Sequence, residues 1–238
     1  MQQPGLSPET LQELEKISLE TLIDPLPDVS ELPMSAMAAR TPRPFTHMPD
    51  PQKFYKPKNF CGQAAVACLA VLHGKNPYAK SANPEQELMD FLYYKYPPDI
   101  VGGVFGTSAN RICSALKDGC KFRQTLSMRL EPWITGGLAN PINLAAYSAY
   151  SNSILTYVNA GYPVIVMVDN GKLGDNWHVY HWLVLYKGSP LEVYVCNSTN
   201  KTNGTYHAER MSMPLFASAW EAPYLPPGFR FNAVVAIP

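Results

Sequence analysis

The chain has 238 residues, 46% of them hydrophobic, and its nineteen Lys and Arg balance its nineteen Asp and Glu. That length and apolar content suffice for one substantial core. With no net charge and no basic run, nucleic acid and anionic membrane are not expected partners. No apolar stretch approaches the ~20 residues of a membrane span.

In chain order, Ser7–Leu22 reads as a short amphipathic helix with Pro8 at its first position and Leu11, Leu14 and Ile17 on one face. Residues 24–51 carry PLP, TPRP and MPDP and read as an extended strap. The stretch 1–46 is therefore set apart as an extension from a domain at 47–238. It is expected to pack against that domain, with inhibitory occupation of a cleft as the alternative. A helix starting at Cys61 follows, with Ala64, Ala65, Cys68, Leu69 and Leu72 at helical spacing and Gly74 as its stop. Further helices are predicted at Pro84–Tyr94, capped by Asn83, at Ser108–Lys117 and at Ile142–Gly161. Three short β-branched and aromatic runs, Val164–Val168, Val179–Tyr186 and Val193–Cys196, are bounded by turn residues and read as antiparallel strands. Helices first and strands last make an α+β domain.

The five cysteines, at 61, 68, 113, 120 and 196, form no CxxC pair and are odd in number. A disulfide scaffold and a zinc site are not expected, nor is any cofactor. Cys68 is expected in the core. The opening MQQPGLSPETLQELEK lacks the charged and apolar regions of a secretory signal, and the reading is cytoplasmic.

Cys61 falls in the first turn of its helix, where unpaired backbone N–H groups and the helix dipole favour a thiolate. A thiolate is the form that attacks carbonyl carbon. The competing reading of such a cysteine is a small buried hydrophobe. His181 lies within the second strand and Asn197 ends the third. Side by side on neighbouring strands, the amide oxygen would receive the imidazole N–H and fix its tautomer, the orienting role a Cys–His pair requires. His178 is three residues away, so the two rings point to opposite faces of a strand and only one meets the cysteine; His181, inside the apolar run, is preferred. His73 ends the Cys61 helix, where a cation is favoured.

The ordered pieces NFCGQAA, GTSANRICSALKDG, AGYPVIVMVD, HWLVLY and VYVCNS resemble the papain-like cysteine peptidases of the C39 type, the bacteriocin-leader-processing peptidases and their stand-alone relatives. A late MSMPLFASAW resembles the helix that closes such domains. The resemblance covers roughly residues 50–238. It implies a papain-like fold and peptide-bond hydrolysis through a thioester, with Cys61 as nucleophile, His181 as base and then acid, and Asn197 as orienter. The family's oxyanion-hole glutamine usually lies five or six residues before the cysteine, where this chain has Lys56 and Tyr55. Gln52 and Asn59 become the candidate oxyanion donors. A peptide or protein is the expected substrate, and Tyr180, Trp182 and Trp177 are candidates to narrow its cleft. The alternatives are a silent peptide-binding module of the same fold, and an amidase or acyltransferase using the same triad.

Overall fold

The computed structural model describes residues 41–100, 106–128, 141–173, 180–197, 208–221 and 231–238. The helix expected at Ser7–Leu22, His178 and Trp177 lie outside them. Three helical segments come first: α1 (Cys61–Leu72), α2 (Pro84–Lys95) and α3 (Ala109–Ser114), which runs on into a wider π turn over Ala115–Gly119. Then come β1 (Gln124–Met128), α4 (Pro141–Asn159), β2 (Val164–Asp169), β3 (Tyr180–Gly188), β4 (Glu192–Cys196), β5 (Ala208–Ser212), α5 (Met213–Glu221) and β6 (Ala233–Ile237). The described strands form one antiparallel sheet in the order β1-β6-β2-β3-β4-β5. The molecule is α+β, but its elements interleave: β1 precedes α4, and α5 falls between β5 and β6.

Both faces of the sheet are covered. Ile165, Met167, Trp182 and Val184 pack with α1, α2 and α3 in one core, while Val166, Val168, Leu183 and Leu185 pack with α4 and α5 in the other. Burial on both sides explains why β2 reads as an unbroken apolar run rather than an alternation. No residue of α1 from Cys61 through Ala70 reaches solvent appreciably. A helix apolar all round is one enclosed by the protein, and its small alanines let it lie close to β3. Gly74, at φ +64, provides the left-handed stop that the sequence anticipates. Ser108 caps α3 by accepting the Arg111 N–H, whereas Asn83 precedes α2 without any side-chain bond to it. No described helix is long and apolar enough to cross a membrane.

The chain ahead of α1 is tied down. Pro42, Phe45 and Pro49 are buried, and Phe45 belongs to the first core. Cys68 is buried as expected and its thiol donates to the Arg43 carbonyl at 3.3 Å. Asp90 of α2 receives the Asp50 N–H at 2.9 Å and the Lys53 ammonium at 2.5 Å, and Arg43 pairs with Glu85. These bonds fix the path of the strap into the loop before Cys61.

Candidate active site

Cys61 is the first residue of α1 and only 8% exposed. Phe60 precedes it without a side-chain cap, which leaves the first backbone N–H groups of the helix available. Those of Cys61 and Gly62 reach the sulfur, and so does the N–H of Trp182 in β3. Val184↔Cys196 is the last β3–β4 pair, so the Trp182 amide lies beyond that ladder, on the side where its dipole acts on the thiol. The start of α1 is thereby docked on the peptide that joins His181 to Trp182.

His181 sits opposite Val168 of β2 and is 5% exposed. Its Nε2 lies 2.9 Å from Oδ1 of Asn197, which is 3% exposed. An amide oxygen only accepts, so the proton resides on Nε2 and Nδ1 is the basic nitrogen. The side chains sit just past the last β3–β4 pair, where the two strands have ceased to bond but remain neighbours.

The electrostatics reverse one expectation from the sequence. Burial pushes the Cys61 thiol above its ordinary range, against the opposing pull of the Trp182, Gly62 and Cys61 N–H groups. A helix start alone favours the anion; enclosure on all sides favours the neutral thiol more. The resting cysteine is therefore –SH. We expect iodoacetamide to label Cys61 with a pH midpoint above the ~8.5 of a free thiol, and half-buried Cys113 to react before it. Peptide mapping across pH checks this; preferential labelling of Cys61 near pH 6 would overturn the buried-thiol description.

The two candidate oxyanion side chains are not enclosed with these three residues. Gln52 is exposed, its backbone N–H held by the Asp50 carboxylate at 2.8 Å. Asn59 is exposed too, in a left-handed conformation at φ 55, two residues before the cysteine. Trp182 is no cleft wall: it is 1% exposed, inside the first core, with its indole N–H donating to the Thr107 carbonyl at 2.8 Å. A cavity of about 300 Å³ is lined by Thr41, Arg43, Phe45, Cys68, Val71 and Leu72, and includes none of Cys61, His181 and Asn197.

Two neighbours escaped the sequence reading. Gly62 was noticed only as part of a motif, yet a Cβ there would stand 2.8 Å from Cβ of Thr107. The obstacle is a branched, buried carbon, so Gly62→Ala must push the helix start or the Thr107 loop aside. We expect a loss of about 1–3 kcal/mol in denaturant unfolding; unchanged stability would show that the gap opens freely. Gln63, one residue on, is 1% exposed and donates from Nε2 to the Tyr96 carbonyl at 2.6 Å. The signal for both was their place in the first turn, where every side chain faces a neighbouring element.

Compared with models of known protein families and with curated protein sequences, the chain finds no match.

Proposed function

We propose that the chain is a cysteine peptidase of papain-like fold, cleaving a peptide bond through a thioester. One observation carries the reading: His181 and Asn197, both buried on neighbouring strands, share a hydrogen bond of 2.9 Å, as the orienting of a catalytic imidazole requires. In this reading a helix start supplies the nucleophile, and two neighbouring strands supply the base and its orienter.

Because the thiol is neutral at rest, His181 removes its proton as the sulfur attacks rather than beforehand. The S–C bond forms and the proton passes to Nδ1. Asn197 accepts from Nε2–H throughout and holds the ring in place, as a carbonyl oxygen stabilises an imidazolium less than a carboxylate does. The Cys61 backbone N–H is the oxyanion donor this reading needs, since Gln52 and Asn59 are exposed. Collapse of the tetrahedral adduct breaks the C–N bond, and the proton on Nδ1 goes to the departing amine. Water, deprotonated by His181, then hydrolyses the thioester and restores the thiol. Five free thiols suit a reducing compartment such as the cytoplasm.

A second reading, the silent peptide-binding module, is favoured by the same burial that raises the thiol and by the exposure of both candidate oxyanion side chains, Gln52 and Asn59. The two separate on a proteome-derived peptide library incubated with the protein and with Cys61→Ala. Products formed by the first and absent with the second support the peptidase. No products from either, with peptides retained equally by both, establishes the binder.

A further inference from the structure

Thr107 takes part in none of these steps, yet it is held from every side. It is 2% exposed. Its carbonyl accepts the Trp182 indole N–H at 2.8 Å, and its hydroxyl donates to Oε1 of Gln63 at 3.2 Å. Its Cβ blocks any side chain at Gly62. The flanking residues are locked as well. Gly106, at φ +102, gives its carbonyl to the N–H groups of both Asp99 and Ile100 at 3.0 Å. Asp99 then takes the Ser108 N–H and the Ser108 hydroxyl, each at 2.7 Å. One residue therefore touches the first turn of α1 through Gly62 and Gln63, and β3 through Trp182. Those are the two elements whose separation sets how near Cys61 stands to the Trp182 backbone of β3, the strand that carries His181.

We infer that Thr107 is a positioning residue, a spacer between the first turn of α1 and β3 that sets the distance from Cys61 to the His181 segment, with Asp99 holding it in place. The inference rests on the proposed peptidase reading for its catalytic consequence, but its geometric part stands apart from that reading. A misplacement of about 1 Å costs roughly a hundredfold in rate when a nucleophile and its base must align.

Thr107→Val keeps the shape and removes the hydroxyl donation; Thr107→Ser keeps the hydroxyl. We expect Thr107→Val to lower kcat about 10- to 100-fold with KM within about threefold of the parent, and Thr107→Ser to restore most of it. We also expect the pH midpoint of Cys61 alkylation by iodoacetamide to rise by about one pH unit in Thr107→Val and not in Thr107→Ser, because the sulfur withdraws from the Trp182 donor. A structural role alone would lower the melting temperature without moving that midpoint. Should Thr107→Val fail to fold, Trp182→Phe, which removes the indole donor from the β3 side, carries the same two measurements. If the parent protein turns over no peptide, the peptidase reading falls and the alkylation midpoint decides the spacer by itself. Parental kcat and midpoint in a folded Thr107→Val, or equal damage from valine and serine, overturns the inference.

Discussion

Under the proposed mechanism, Cys61→Ala and His181→Ala are each expected to lower turnover by about four to six orders of magnitude, while the protein still unfolds cooperatively. The first would remove the proposed nucleophile and the second its proposed base, and groups that act as one unit lose nearly everything when either is deleted. Cys61→Ala empties little volume. His181→Ala leaves the Asn197 amide buried without its imidazole partner, which adds about 1–3 kcal/mol of destabilisation. Unfolding must therefore be measured beside activity, so that lost catalysis is not mistaken for lost structure. Asn197→Ala is milder, because the ring keeps its chemistry and forfeits only its tautomer and aim. The assignment would fail if His178→Ala were inactivating and His181→Ala harmless.

Acid stability follows from His73, which closes α1. The sequence position suggests a cation at a helix C-terminus, but the structure holds the ring neutral. Burial, aided by Lys75, brings its pKa from 6.5 down to about 4. Among the described residues neither ring nitrogen has a hydrogen-bond partner, and the ring meets Phe122 edge-on at 5.6 Å. A group whose folded pKa lies below its unfolded one binds its proton more readily in the unfolded chain. Its contribution to stability is thus full above pH 6.5, falls as pH drops from 6.5 towards 4, and changes no further below that. With solvent screening of a partly open ring, the loss amounts to about 2–3 kcal/mol. Urea unfolding at steps between pH 7 and 4 measures it, with His73→Phe as the comparison. The variant should lack that portion of the slope; parallel losses in both proteins would acquit His73. Because His73 and Cys61 end the same helix, any acidic limb in a rate profile needs this correction before it is credited to His181.

The elements that bury continuous apolar runs were the ones legible in the chain. β2, β3 and β4 sit in the sheet interior between two helical layers, so their runs announce themselves, and α2 and α4 were located to within a residue or two. β5 was not foreseen because it lies at the sheet edge, where AERMS carries two adjacent charges and Arg210 pairs with Glu192 of the neighbouring strand. β1, at the opposite edge, is missed because QTLSM is mostly polar and only partly buried. β6 is a central strand, but five small apolar residues carry no period to separate strand from helix. For the proposed site, residue types and chain order singled out Cys61, His181 and Asn197, and of these the structure pairs His181 with Asn197. The electrostatic sign was not legible, since the charge preference of a helix start is local whereas burial depends on everything packed around it. Thr107 was invisible for a related reason: its importance lies in which distant backbones it separates.

The anchoring of the strap governs where the extension can be removed. A cut at residue 46 would sever Phe45 from the first core and release Arg43, whose carbonyl receives the Cys68 thiol and whose guanidinium pairs with Glu85. Such a shortened protein would report on lost packing against α1, and a change in activity would say nothing about inhibition by the leading segment. A trimming protease, or an experimenter, has to act upstream of Thr41 to leave these contacts whole.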